Sequence, residues 1–297
     1  MKRKNKATPS AKKAPHATGR KGSATPGPRT AKRNSAQAGT ALHPGQNTVP
    51  DRAGGLWLYG RHATFAALNN PERQKKRLLI SRTQSTLYMD QLAELPNLPE
   101  NLSLEIVDPD ELGRVVPPDS PHQGIALNCA PLPRRHLEDS CAPLAAEQNL
   151  VLVLDQVTDP HNVGAIIRSA AAFGARALIT PDRHAPPESG ALAKAASGGL
   201  ELVPWVRVTN LARALEQLAD MGYWRLGLDG SAKLLAEAAD FGTTIALVLG
   251  AEGRGLRKGT RDHCDALIKL PINPRVDSLN VSNAAAIALY EFSRRSR

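Results

Sequence analysis

The chain has 297 residues, with 38 Lys and Arg against 28 Asp and Glu, so its formal net charge is +10. That excess points to a polyanionic partner, and 41% apolar residues supply material for ordinary cores, which excludes a chain disordered from end to end. No apolar run approaches the roughly 18 to 20 residues of a membrane-spanning helix. The three cysteines, Cys129, Cys141 and Cys264, form neither a C-x-x-C pair nor a zinc pattern, which excludes a disulfide scaffold or structural zinc site and makes a reducing compartment the default.

The charge is unevenly placed. Residues 1–50 hold eleven Lys and Arg and no acid, which leaves the rest of the chain close to neutral. This segment is Ala, Pro, Gly, Ser, Thr, Lys and Arg with almost nothing large and apolar, so a disordered basic tail is expected over 1–52. It reads either as a solvated tail or as a nonspecific RNA-tethering arm. It has no apolar core of a secretory signal, although its composition is also that of an organelle transit peptide.

From Leu56 the character changes. LWLYGRHATFAALNN carries apolar residues at helix-like intervals, Arg77 to Ser81 is a short strand, and STLYMDQLAEL is a helix stopped by Pro96. LSLEIVD alternates like a strand, Asp108 to Val116 is a short helix, and HQGIALNCA is another strand, giving a small α/β unit over 53–130. Three prolines and a charged middle mark 131–149 as a linker or linking helix. From 150 to 297 strands and helices alternate: VLVLDQV, a helix from about Val163 to Phe173, ARALITP, a helix over 187–197, LVPWVRV, LARALEQLADMG, YWRLGLD, TTIALVLG, ALIKLP and a final helix from about Val281. Continuously apolar strands are those buried on both faces, so a mostly parallel sheet covered by helices is predicted.

Three clusters follow predicted strands, at the edge where open α/β sheets bind ligands. In the first, Asp159 to Gly164, Asn162 is a candidate helix cap, Gly164 permits close approach, and Arg168 lies six residues further along the helix. The second, Leu249 to Leu256, has three glycines in six residues, suited to crowding backbone N–H groups around a ligand. It lacks the G-x-x-x-x-G-K-[ST] and G-x-G-x-x-G patterns, and an acid such as Glu252 would repel phosphates, so an NTPase or ordinary dinucleotide site is not supported. The third, Leu270 to Asn283, places Ser278, Asn280, Ser282 and Asn283 ahead of an apolar helix, more polar side chains than one cap requires. That helix is apolar nearly all round, which argues burial in the core or in a subunit interface.

N-x-G-x-x-x-R at 162–168, L-G-A-E-G-x-G-L at 249–256 and P…S-L-N-V-S at 271–282 together resemble the three motifs of the SpoU (TrmH-type) RNA ribose methyltransferases. The match spans about 150–297, and the first folded region, with YGRHA near its start and HQG at its end, resembles the RNA-binding domain of the bacterial ribosomal-RNA members. The arrangement is most similar to members that methylate a guanosine ribose of large-subunit ribosomal RNA. A transfer-RNA methyltransferase of the same family and a catalytically inactive RNA-binding relative are the alternatives.

The resemblance implies a carboxyl-terminal Rossmann-like α/β knot over 150–297, a trefoil that holds S-adenosylmethionine, with 53–130 as a smaller α/β RNA substrate-binding domain. It implies a homodimer through the knot domain, no metal, no membrane and a cytoplasmic setting. Carried over by position, Gly250, Leu270 and Leu279 contact the cofactor, while Arg168, Asn162, Glu252, Ser278 and Asn280 form the catalytic cluster. Asp277 departs from the small neutral residue that several members carry there. No cysteine is near these motifs, so a covalent base-methylating mechanism is unsupported. With the charge excess confined to the tail, RNA recognition by the folded part is expected to rest on local groups such as Arg61 and the Arg73 to Arg77 stretch.

Overall fold

The computed structural model describes residues 55–294 apart from 97, 100, 146 and 239, so the expected basic tail lies outside the described residues. The first sheet is built from β1 (Leu56–Tyr59), β2 (Lys75–Ser81), β3 (Ser103–Val107) and β4 (Ile125–Cys129), in the order β1-β4-β2-β3. Strand β4 runs antiparallel to β1 and β2, and β2 runs parallel to β3. Helices α1 (Arg61–Asn69), α2 (Ser85–Ala93) and α3 (Pro109–Val115) connect them.

The sequence reading of helix from Leu56 onward is corrected here: Leu56 to Tyr59 pair with Cys129 to Ala126 as a strand. A long-range ladder overrides the local spacing. Leu58 faces the main core while Trp57 and Tyr59 join Leu79, Leu112 and Ala126 on the other side, the two-residue period of a strand. Gly60, at φ 84°, makes the turn into α1, a backbone conformation that disfavours other residues.

After α4 (Leu137–Cys141) comes the larger sheet. Its strands are β5 (Asn149–Asp155), β6 (Ala177–Pro181), β7 (Trp205–Val208), β8 (Trp224–Leu228), β9 (Leu234–Leu235), β10 (Thr244–Gly250) and β11 (Ala266–Lys269). They lie in the order β7-β6-β5-β10-β8-β11-β9, and every pairing between them is parallel. The two-residue β9 gave no sequence signal, and it pairs only at the sheet's edge. All seven residues of β5 are buried, as its unbroken apolar run requires of a central strand. One face carries α5 (Pro160–Ala172), α6 (Gly190–Ala196) and α9 (Val281–Ser293), whose buried residues share a core with Leu152, Leu178 and Leu247. The other face carries α7 (Leu211–Asp220) and α4, packed on Val151, Ile179 and Val248. The short α8 (Lys258–Arg261) lies against α7.

The segment 131–149 lies against the sheet: Leu137 and Cys141 are buried in its second-face core, Tyr223 Oη donates to the Cys141 carbonyl at 2.8 Å, and Arg135 forms a parallel bridge to Val206. The small sheet meets the large one through α6. A Cβ on Gly190 would come within 2.4 Å of the Trp57 carbonyl oxygen, so the two backbones approach closely only because this residue is glycine.

Candidate active site

The strand order reverses between β5 and β10. From β5 the chain continues outward to β6 and β7, while β8, β11 and β9 lie beyond β10. The carboxyl ends of such a pair form the crevice where open α/β sheets bind ligands, and three chain segments converge there. Helix α5 leaves β5, the glycine loop leaves β10, and the coil 270–280 leads from β11 to α9.

Asn280 joins all three. Its Nδ2 donates to Asn162 Oδ1 at 3.0 Å and to Glu252 Oε1 at 3.1 Å. Its Oδ1 accepts from Ser282 N at 2.9 Å, Ser282 Oγ at 2.5 Å and Asn283 N at 3.4 Å, so the same side chain caps α9. The cap uses the amide oxygen and leaves the amide nitrogen to face the two acceptors. Asn162 does not cap α5, as its sequence position suggested. Asp159 is the cap, accepting from His161 N at 2.9 Å, and Pro160 opens the helix three residues earlier than predicted. Asn162 therefore sits in the first turn with its side chain available to Asn280.

The glycine loop folds tightly on itself. Gly255 N donates to the Ala251 carbonyl at 2.8 Å, and a Cβ on Gly250 would lie 2.1 Å from the Gly255 carbonyl carbon. Gly253 and Gly255 adopt φ of 75° and 65°, in the left-handed region. The tip at 252–255 is exposed, so the loop offers main-chain polar groups and the Glu252 carboxylate at the crevice. Gly164, one turn into α5, allows α6 to approach: a Cβ there would meet the Leu192 carbonyl oxygen at 2.4 Å.

The model described as the SpoU rRNA Methylase family matches residues 149–290, and the one for RNA 2'-O ribose methyltransferase substrate binding matches residues 57–135. A protein of Vibrio vulnificus named 23S rRNA (guanosine-2'-O-)-methyltransferase RlmB is 38% identical over 80% of this chain and 96% of its own length. The chain belongs to the SpoU methylase family. An uncharacterized tRNA/rRNA methyltransferase of Synechocystis is also 38% identical over 80% of this chain, which spans 62% of that relative's length. Among solved structures, the SpoU methyltransferase AviRb of Streptomyces viridochromogenes in complex with AdoMet is similar, with a TM-score of 0.69 and 25% identity, over 82% of this chain and 91% of that one.

Of the residues that the SpoU resemblance assigned, Asn162, Glu252 and Asn280 form one hydrogen-bonded set, and Gly250 begins the loop beside them. Leu270 and Leu279 are half-buried at the two ends of the coil that leads to Asn280, and Ser278 is exposed on it. Arg168 is exposed on α5, and among the described residues it makes no ion pair or side-chain hydrogen bond. Six residues along a helix correspond to about 9 Å of rise and two-thirds of a turn beyond the last full one, which carries it away from Asn162.

The local RNA-binding groups named from sequence need correction. Arg73 is buried and its guanidinium pairs with Glu188 and Glu201 while donating to the Ala130 carbonyl at 2.9 Å. Burial works against its charge, but the Glu201 hydrogen bond and the two carboxylates outweigh it and raise its pKa. Arg77 is held bidentately by Glu105 at 2.8 and 2.6 Å, and Lys75 is buried, its pKa lowered by desolvation. Arg61 and Lys76 remain exposed.

Other contacts were not legible in the sequence. Glu188, predicted inside a helix, precedes α6 and faces Arg73 across 115 positions. Gln123 of the HQG run accepts from Arg61 N at 3.0 Å and from Lys194 Nζ of α6 at 3.3 Å, tying YGRHA to the large sheet's helix layer. Among the described residues no group of three or more His, Cys, Asp or Glu could hold a metal ion, and no helix is long and apolar enough to cross a membrane.

Proposed function

We propose that this chain transfers the methyl group of S-adenosylmethionine to a ribose 2′-hydroxyl of RNA, and that the target is a guanosine of large-subunit ribosomal RNA. The observation that carries the reading is the meeting of the three motifs in the Asn162–Asn280–Glu252 set at the switch-point crevice. The two family models together favour an RNA substrate, and the RlmB relative, matched over nearly all its length, favours the ribosomal guanosine over a transfer RNA.

The residues present fit a cofactor gripped by main chain. Gly250 has no space for a side chain, the loop after it presents backbone groups, and Leu270 and Leu279, half-buried, begin and end the coil that brings Asn280 to the crevice. S-adenosylmethionine, when bound, supplies an electrophilic methyl group. Gly250, Leu270 and Leu279 would hold it, largely through backbone. Asn280, fixed by its cap, orients Asn162 and Glu252, and the set positions the target ribose for in-line attack. Arg168, whose long side chain leans back along α5 toward the crevice, is the electrostatic stabiliser of the developing alkoxide. A guanidinium with a pKa above about 12 is a poor base, so the proton leaves through a substrate phosphate or water. Ser278, exposed beside Asn280, completes the catalytic cluster.

Further features belong to the same proposal. Residues 53–130 act as the RNA substrate-binding domain, 131–149 as the linker and 150–297 as the catalytic domain. The latter forms a trefoil knot in this reading, which is supported by α9 returning from β11 to pack on α5. The chain forms a homodimer through this domain, a reading supported by Ile287 and Tyr290, which α9 leaves 46% and 56% exposed. A ribosomal substrate places it in the cytoplasm. Mapping 2′-O-methylation of ribosomal RNA from cells with and without the gene tests the function. Loss of one large-subunit guanosine methyl is the expected result, and loss confined to a transfer-RNA position would overturn the assignment.

A further inference from the structure

Two cavities away from the crevice differ in their charge. The larger, about 460 Å³, lies between the linker, β7 and the turn that follows α1, and Glu72, Glu188 and Glu201 line it together with Arg134, Arg135 and Arg207. Its mixed lining does not select a polyanion. The other is a cleft of about 390 Å³ at the carboxyl edge of β6 and β7, lined by Arg183, His184, Thr209, Asn210, Arg257 and Thr260 among others, and no carboxylate lines it.

We infer that this cleft holds a backbone phosphodiester of the RNA next to the target nucleotide, an inference that rests on the RNA methyltransferase reading above. Nearby carboxylates are engaged elsewhere. Asp155, the fully buried last residue of β5, accepts from Arg257 Nε at 2.6 Å and Arg257 N at 3.0 Å. This fixes an arginine whose side chain is still 47% exposed and whose two terminal nitrogens have no partner among the described residues. Asp182 lies 4.0 Å from Arg134 and does not line the cleft. Arg183 is exposed and makes no ion pair among the described residues. At the start of α7, Asn210 Oδ1 accepts from Arg213 N at 3.3 Å, which leaves the Leu211 and Ala212 amides, both in the cleft wall, without helical partners. Two arginines, hydroxyl and amide donors and open backbone N–H groups match the chemistry of a phosphate.

The position suits a neighbouring nucleotide. Asp155 leads within seven residues to Asn162 of the candidate active site and also anchors Arg257 of the cleft. β6 and β7 lie one and two strand spacings from β5, about 5 and 10 Å. A phosphate held here carries no sequence information but fixes the register in which the target ribose reaches Asn280.

The test compares the full chain with Arg183→Gln, Arg183→Lys and Arg183→Glu, using protein-free large-subunit ribosomal RNA as probe. Affinity is measured between about 50 and 200 mM salt, and S-adenosylmethionine affinity and methyl transfer at saturating RNA are read from the same preparations. Loss of one phosphate contact predicts that Arg183→Gln lowers the slope of log K against log salt by about 0.7 to 0.9, that Arg183→Lys restores it, and that Arg183→Glu lowers it further. Cofactor affinity stays unchanged, while methyl transfer at saturating RNA falls in Arg183→Gln and Arg183→Glu as the register loosens. Unchanged RNA affinity and slope in Arg183→Gln and Arg183→Glu would overturn the inference, as would a loss of S-adenosylmethionine affinity in its place. Methyl transfer by the unaltered chain reports separately on the methyltransferase reading.

Discussion

Replacing Arg73 by Met should be among the most damaging single changes in the described fold. The Arg73 side chain has no exposed surface, and its carboxylate partners Glu188 and Glu201 are only 11% and 3% exposed. Glu201 also accepts from Asn70 Nδ2 at 2.7 Å, and Glu188 from Leu132 N at 3.0 Å, so neither carboxylate can turn out to solvent without breaking another bond. Removing the cation leaves two uncompensated buried charges, which costs about 3–5 kcal/mol. For a fold of this size that corresponds to a fall of ~6–20 °C in Tm. Neutralising all three groups, as Arg73→Met/Glu188→Gln/Glu201→Gln, retains the amide oxygens as acceptors and should recover most of the loss. Thermal unfolding at pH 7 followed by circular dichroism compares the two. A single variant within about 1 kcal/mol of the unaltered protein, or a triple variant as unstable as the single one, would refute the view that buried charge compensation joins the first sheet's elements to the large sheet's helix layer.

Asn280→Asp separates capping from site geometry. An aspartate still accepts from Ser282 N and Asn283 N, but its second oxygen would face the acceptors Asn162 Oδ1 and Glu252 Oε1. Thermal stability should remain near normal while methyl transfer falls on the order of 100-fold; equal activity would remove Asn280 from the site. Gly164→Ala places a methyl 2.4 Å from the Leu192 carbonyl oxygen and 2.6 Å from Ala195 Cβ, so it should cost about 1–3 kcal/mol in denaturant unfolding. Cys129, Cys141 and Cys264 are each pushed up to about 12 by burial, so at pH 8 they stay protonated as thiols. A thiol reagent should leave the buried Cys129 and Cys141 unlabelled in the native chain at that pH, react slowly with the half-buried Cys264, and label all three once the chain is unfolded; rapid native labelling of Cys129 or Cys141 would contradict their burial.

What the sequence showed and what it concealed divide along the range of the interactions. Strands β5 and β10 were legible because burial on both faces demands unbroken apolar runs, and the three clusters were legible because ligand loops at strand ends need glycine and small polar residues. The strand at Leu56 to Tyr59 was concealed, since only pairing with a segment some 70 residues later distinguishes it from a helix start. Asn162 read as a cap because Asn is a good cap, yet Asp159 followed by Pro160 is the stronger helix start and leaves Asn162 for the site. Arg73 read as a surface charge because nothing local shows that Glu188 and Glu201 fold onto it. The basic lining of the cleft at Arg183 and Arg257 was equally hidden, since its residues come from the ends of two different strands and from the starts of α7 and α8.

Ribose methylation is tested most directly by incubating the purified chain with large-subunit ribosomal RNA and S-adenosylmethionine labelled in the methyl group, then hydrolysing the RNA in alkali. A methylated 2′-oxygen cannot attack the adjacent phosphate, so label is expected in alkali-resistant dinucleotides. Arg168→Ala, with cofactor binding retained, should abolish that label. Label recovered on a base, or near-normal turnover by Arg168→Ala, would contradict this chemistry.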